Sequence, residues 1–295
     1  MNLRTTAIGK INLYLDVLGR RADGYHEIAT VFLPMTAPAD VITVADGAAG
    51  ELTVTCTHPG VPEGPGNLCW KAATAFAQAA HVSPSWRVSI EKHIPVAAGL
   101  GGGSADAAAV LLALNRLHEE PLPGGPLSQL AARLGADVPF FLNPVPALGR
   151  GIGDVLTPVR CGRELDLVLI NPGFPVPAAW AYAHRGRVAV RPAPPLEPLL
   201  AALAAGDIEA LAGLAWNALE FAVLDKFPLV AMLRDALLAA GCLCSHVSGS
   251  GPTVYGLCRP GTGPSVCARL GQEFGSAVWT CATRSVCACS AAGLE

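Results

Sequence analysis

The sequence predicts an α+β protein of two domains, and three observations predict it. At 295 residues the chain is longer than one hydrophobic core usually serves. A glycine-rich loop near its middle opens directly into an alanine- and leucine-rich helix. The last third alternates short strands with helices, at the spacing of a compact α/β unit. The boundary is expected near residue 160, giving a first domain over 1–160 and a second over 161–295.

The elements follow from patterning. Ile8, Ile11, Leu13, Leu15 and Val17 alternate as in a half-buried strand over residues 5–18, with Lys10 and Asn12 together on its other face. Arg20-Arg21-Ala22-Asp23-Gly24 is turn chemistry, and His26 to Leu33 reads as the returning strand. Strands near 40–46 and 51–56 are expected next. Asn67 to Ala80 has helical periodicity, and Trp86 to Glu91 is a strand that ends just before Lys92. A short helix over Leu127 to Leu134 stops at Gly135. Residues 147–157 give two short strands, and Leu165 to Asn171 gives one more. The Pro-rich stretch 172–195 reads as a linker and substrate-side loop. Helices are expected at 196–204, 207–223 and 227–240. The chain ends as strand (245–248), glycine turn (Gly249-Ser250-Gly251-Pro252), strand (253–258), helix (264–274) and strand (277–282). That order suits a ferredoxin-like second domain.

Composition narrows the function. The chain is 52% hydrophobic and 15% charged, which is globular and core-rich. Its net charge is −3 with no run of Lys or Arg, so nothing points to nucleic acid or an anionic membrane. No apolar run of spanning length is free of charge or helix breakers. The start, MNLRTTAIGKINLYL, lacks the apolar core of a signal peptide, and a cytoplasmic bacterial protein is expected. Ten cysteines include no Cys-x-x-Cys pair. Cys242, Cys244, Cys281, Cys287 and Cys289 fall in strand-like segments and read as small buried thiols, with a zinc or redox role as the alternative.

The chemistry centres on Pro95 to Asn115. Gly99, Gly101, Gly102 and Gly103 precede the helix, an entropically costly composition that a plain turn does not need. Helix N-terminal amides behind such a loop suit a phosphate. Ser104 and Asp106 are expected to cap the helix. A Walker A loop is excluded because no Lys follows the glycines. A dinucleotide fingerprint fits poorly, since Ser104 stands at its third glycine and Glu119 and Glu120 fall at a helix end.

Pro95-Val96-Ala97-Ala98-Gly99-Leu100-Gly101-Gly102-Gly103-Ser104-Ala105 resembles the central motif of the GHMP kinases (galactokinase, homoserine, mevalonate and phosphomevalonate kinases). Three further segments carry the resemblance: Gly9-Lys10-Ile11-Asn12-Leu13 with Arg21-Ala22-Asp23-Gly24-Tyr25-His26, Leu134-Gly135-Ala136-Asp137-Val138-Pro139, and Val247 to Pro252. Together they resemble the branch that phosphorylates a cytidine-diphosphate-linked methylerythritol in the non-mevalonate isoprenoid pathway. The likeness runs from about residue 5 to the last strand.

The resemblance implies a ribosomal-protein-S5-domain-2-like first domain, a ferredoxin-like second domain, ATP as phosphoryl donor and Mg²⁺. It implies Asp137 as acid/base and Lys10 as its partner. ATP contacts would come from Pro95, Val96, Ala97, Ala98, Gly99, Leu100, Gly101, Gly102, Gly103, Ser104 and Ala105, with Asn67 and Lys92. Substrate contacts would come from Asn12, Tyr25, His26 and Tyr182, the last on the far side of the cytosine from His26. Metal ligands stay open: Ser104 and Asp106 are candidates, with phosphates and water as the alternative. Two departures stand out: Ala105 lacks the hydroxyl many relatives carry, and Ala178 cannot supply one to a diphosphate. Another small-alcohol kinase of the family, or a nucleotide-binding module without catalysis, remain the alternatives. Partners are the small substrate and ATP, with the chain a monomer or weak homodimer.

Overall fold

The computed structural model describes residues 2–186 and 192–287. Cys289 lies outside them. The chain begins with two long strands, β1 (Asn2–Arg20) and β2 (His26–Asp46). They are joined by the expected turn, in which the Arg21 amide donates to the Tyr25 carbonyl and Gly24 takes φ 88°. The separate strands expected at 26–33 and 40–46 are one strand. Pro34 and Pro38, which lack an N–H, fall between the stretches where β2 pairs with its later partners, Thr30–Phe32 and Val41–Asp46.

The chain then runs through β3 (Leu52–Cys56), α1 (Leu68–Ala80), β4 (Trp86–Glu91), α2 (Gly102–Leu117), α3 (Gly124–Leu134), α4 (Val138–Leu142), β5 (Ala147–Arg150), β6 (Val155–Pro158) and β7 (Asp166–Asn171). The stretch expected to be a linker contains a short helix, α5 (Ala178–His184), because Pro177 supplies a pre-set N-cap and the residues after it form helix readily. After α6 (Leu196–Ala205), the single helix expected over 207–223 is divided. α7 (Ile208–Leu214) ends, a two-residue strand β8 (Trp216–Asn217) pairs with β1, and α8 (Glu220–Lys226) follows. Tertiary pairing overrides helical periodicity there. The remainder is α9 (Pro228–Ala239), β9 (Cys244–Val247), β10 (Val254–Cys258), α10 (Gly263–Phe274) and β11 (Trp279–Arg284).

Contact density divides the chain into two compact units. The first is Met1–Gly9, Pro38–Val96 and Gly101–Pro144; the second is Lys10–Ala37, Ala97–Leu100 and Val145–Glu295. In the first unit, β4 pairs antiparallel with Val41–Asp46 of β2 and parallel with β3. Helices α1, α2, α3 and α4 pack together through buried Phe76, Val110, Leu114, Leu130 and Phe140. Phe76, Trp86 and His118 form an aromatic cluster within that core.

In the second unit a four-stranded antiparallel sheet has the order β11-β7-β10-β9. Numbered along the chain this is 4-1-3-2, with α10 leading from β10 into β11. That is the expected ferredoxin-like arrangement. Its core joins Val168, Ile170 and Val254 of the sheet to Leu233 and Leu237 of α9 and Val266 and Leu270 of α10. Tyr14 and Leu15 of β1 pair with β8, Thr30–Phe32 of β2 with β5, and β5 with β6.

Leu237→Ala is expected to lower the stability of the second unit by about 2–5 kcal/mol, as a fully buried leucine leaves a cavity. A fall in the urea midpoint checks it, and a change under 1 kcal/mol would contradict the packing described.

Candidate functional site: the glycine loop and its supports

In the first unit the loop enters α2 through Gly101, whose φ of 73° places it in the left-handed region. Gly101 is the N-cap and no side chain caps the helix. The capping expected of Ser104 and Asp106 is therefore corrected: both lie inside the first two turns. The first-turn amides of α2 are left without helical partners, which is what a phosphate requires. Ala105 is buried and bonds back to the Gly101 carbonyl at 2.9 Å, so a hydroxyl at 105 would face protein rather than ligand. Gly102 has no room for a side chain, since a Cβ would lie 2.9 Å from Ile94 Cγ2 and 3.0 Å from Lys92 Nζ.

Lys92 is not a loose cation at the loop. Its Nζ donates to Asp40 Oδ2 at 2.5 Å and to Asp106 Oδ2 at 2.7 Å, and the three side chains are 4%, 0% and 5% exposed. Asp40 Oδ1 accepts from the amides of His93 and Ile94 at 2.6 and 2.8 Å. Burial pulls the ammonium pKa down, but Asp106 and Asp40 outweigh it and Lys92 stands above its ordinary value. Burial pushes Asp106 up, the Lys92 charge opposes that, and its pKa settles at about 7. Asp106 Oδ1 is buried without a hydrogen-bond partner. Asn67 is also committed: it caps α1 by accepting from Cys69 N and donates to the Pro62 carbonyl, both at 2.7 Å. Asp137 stands half-buried at the N-cap position of α4 and makes no capping bond.

In the second unit Ala97–Leu100 is laid against two segments. The Lys10 amide donates to the Leu100 carbonyl at 3.0 Å, and the Thr253 amide to the Ala98 carbonyl at 3.3 Å. The Gly99 carbonyl accepts from Ser248 Oγ at 3.0 Å and from Lys10 Nζ at 3.4 Å. A Cβ on Gly99, at φ 78°, would stand 2.1 Å from the Ser248 carbonyl oxygen. Lys10 Nζ also donates to Asn12 Oδ1 at 2.7 Å, and Asn12 Nδ2 donates to Thr30 Oγ1 at 2.8 Å. The polar face expected to be half-exposed is interior: Lys10 and Asn12 are both buried. Lys10 Nζ lies 5.2 Å from the Phe32 ring centroid, so its charge rests on an aromatic face as well.

The glycine turn at 249–251 is fixed from behind. Asn217 donates both amide hydrogens, to the Val247 and Gly249 carbonyls, at 2.7 and 2.8 Å. Glu220 accepts from the Val247 amide and from His246. His26 and Tyr182 stack on one another with centroids 5.1 Å apart and planes at 19°. Burial, then Arg185 and Arg20, push the His26 pKa down, which favours the neutral ring. Tyr25, directly before His26, is 62% exposed.

Sequence reasoning missed Asp40, Asn217 and Glu220. Asp40 lies within β2 and meets Lys92 across 52 positions, a pairing that no local pattern encodes. Among the described residues no group of three or more His, Cys, Asp or Glu is arranged to hold a metal. The described cysteines are free thiols, Cys56, Cys267 and Cys281 half-buried and the others buried. No helix among them is long and apolar enough to cross a membrane.

The family models for the GHMP kinases N terminal domain and the GHMP kinases C terminal match residues 67–143 and 199–277. A kinase of 4-diphosphocytidyl-2-C-methyl-D-erythritol from Citrifermentans bemidjiense is 41% identical over 255 residues, covering 86% of this chain and 89% of the relative. The chain belongs to the 4-diphosphocytidyl-2-C-methyl-D-erythritol kinase family of GHMP kinases. A crystal structure of a family member, 4-(cytidine 5'-diphospho)-2C-methyl-D-erythritol kinase, superposes with TM-score 0.79 at 35% identity, covering 96% of this chain and all of that one. Homoserine kinase from Cytophaga hutchinsonii shares the fold at TM-score 0.77 with 17% identity, over 97% of this chain and 95% of its own. The two-domain GHMP kinase architecture expected from the sequence is the one found.

Two outcomes follow for this family member. Gly99→Ala must strain a left-handed residue, at about 1–2 kcal/mol, and also displace the Ser248 carbonyl, whereas Gly103→Ala meets nothing within 4 Å. Thermal melting is expected to fall clearly for the first and hardly at all for the second. Asp106, raised from 3.8 to about 7, holds more protons folded than unfolded across that interval. Its contribution therefore makes stability fall as pH rises through that window. Asp106→Asn is expected to flatten the slope of denaturation midpoint against pH there.

Proposed function

We propose that this chain phosphorylates the 2-hydroxyl of 4-diphosphocytidyl-2-C-methyl-D-erythritol with ATP, within the non-mevalonate isoprenoid pathway. One observation carries the reading: the near full-length likeness, well above the level that shows fold alone, to kinases of that name. The enzyme is a phosphotransferase with an alcohol acceptor.

In this reading the substrate hydroxyl oxygen forms a bond to the γ-phosphorus, the bond from that phosphorus to the β–γ bridging oxygen breaks, and ADP leaves. Asp137 orients the hydroxyl and takes its proton. A half-buried carboxylate at the start of α4 is a group able to take such a proton. Lys10, held by Asn12 and the Gly99 carbonyl, stabilises charge on the transferring group. Residues 95–105 wrap the phosphates through backbone amides. Mg²⁺, when bound with the nucleotide, supplies further charge neutralisation. Ser104 is the loop side chain with an oxygen to offer it, because Asp106 gives one oxygen to Lys92 and buries the other. Asn67 is proposed to meet the nucleotide through its backbone, given its two side-chain bonds.

Tyr25, His26 and Tyr182 are proposed to bind the cytosine. At 5.1 Å the His26 and Tyr182 rings leave no space for a base between them, so the base stacks on an outer face or parts the pair. An aromatic pair beside the R-x-D-G-Y-H turn favours a substrate with a base over mevalonate or homoserine. The domains are proposed as 1–160 and 161–295, a boundary lying between the two matched family models. A cytoplasmic bacterial location and a monomer or weak homodimer complete the reading.

Coupled ADP release with ATP and Mg²⁺ tests it, comparing the cytidyl substrate with free methylerythritol, mevalonate and homoserine. Turnover is expected on the first alone, and Asp137→Asn should lower kcat by about 10²–10⁴ while melting like the parent. Turnover only on mevalonate or homoserine would overturn the substrate assignment.

A further inference from the structure

Three elements of the first unit meet at one buried ammonium. Asp40 comes from β2, Lys92 directly follows β4, and Asp106 lies in the second turn of α2. Asp40 also holds the amides of His93 and Ile94, the last residues before the loop motif. The missing side chain of Gly102 lets the first residue of α2 rest against Lys92 Nζ, 3.0 Å from where a Cβ would stand. A cation packed under a helix N-terminus is repelled by the helix dipole. Here two carboxylates offset that repulsion, one of them carried by the helix itself. The same two carboxylates consume the Lys92 charge, and the side chain is 4% exposed.

We propose that Lys92 acts on the nucleotide as a positioning residue: through Asp40 and Asp106 it fixes both ends of the glycine loop, and its ammonium does not touch a phosphate. The proposal rests on the reading that ATP binds at this loop. It replaces the direct contact expected for Lys92 from sequence. Cationic help for the phosphates then comes from elsewhere, with backbone amides as the loop's own contribution.

The test measures ATP KM, kcat, KM for the cytidyl substrate and melting temperature for the parent, Lys92→Met, Asp106→Ala and the double variant. Each single change is expected to raise ATP KM about tenfold or more, with kcat within about threefold and the KM of the cytidyl substrate unchanged. The double variant should be no worse than the worse single, because one linked device is lost once. A raised ATP KM for Lys92→Met with none for Asp106→Ala would mean direct contact and overturn the proposal. Lower melting temperatures with unchanged ATP KM would also overturn it, leaving a purely structural ion pair. Should Lys92→Met not fold, Asp106→Ala decides alone, since it leaves Lys92 and Asp40 as a balanced pair. A parent without ATP binding would remove the underlying reading and the proposal with it. An active parent with unaffected variants would remove the proposal only.

Discussion

The carbonyl of Gly99 is the point on which the second unit's candidate site depends. It accepts from the Ser248 hydroxyl and from the Lys10 ammonium, and a Cβ on its residue would stand 2.1 Å from the Ser248 carbonyl oxygen. A side chain at 99 is excluded twice, by space and by the left-handed backbone. The turn that supplies Ser248 is itself held by Asn217 and Glu220, whose polar atoms take up the buried groups of residues 246–249. A fully bonded buried network of this kind fixes geometry more than it adds stability. Displacing any member shifts the setting of the lysine proposed to meet the transferring phosphoryl.

The handling of charge follows the same logic in both units. Only 15% of the chain is charged, yet Lys10, Asp40 and Asp106 are buried together with the Lys92 side chain. Each buried charge needs partners, and Lys10 and Lys92 find them at hydrogen-bond distance. An anionic ligand can then be bound by oriented amides and a small number of placed cations. No basic surface is required, so the absence of Lys and Arg runs does not argue against a nucleotide.

Much of the fold was legible because periodicity and turn residues are local. The strand before Lys92, the helix from Asn67 and the four strands of the ferredoxin-like sheet are written in alternation and glycine placement. Most of the misreadings come from contact distant in sequence. Two strands were expected at 26–33 and 40–46, but β2 runs through both. Apolar spacing suggested one helix over 207–223, but pairing of Trp216 and Asn217 with β1 interrupts it. Ser104 and Asp106 looked like caps by composition, whereas a left-handed Gly101 took that position and Asp106 turned to Lys92. In the candidate site, motif residues such as Lys10 and Gly99 could be proposed from sequence. Their supports could not, because Asp40 and Asn217 lie in stretches with no chemical signature of their own.

Fold and substrate separate cleanly in this molecule. A homoserine kinase shares the architecture almost as closely as a family member does, so the architecture cannot select a cytidine-bearing substrate. Selection has to come from residues added to the scaffold, and the His26–Tyr182 stack is the feature proposed for it. Aromatic stacking on a base is worth roughly 1–3 kcal/mol, comparable with the ring–ring contact that would be given up if the pair parted. In the proposed reading, opening the pair is thus nearly balanced, and discrimination would fall to edge hydrogen bonds. His26, kept neutral by burial and by two nearby arginines, offers one ring nitrogen as donor and the other as acceptor. That double character matches the mixed donor and acceptor edge of a cytosine, whereas a charged imidazolium could only donate.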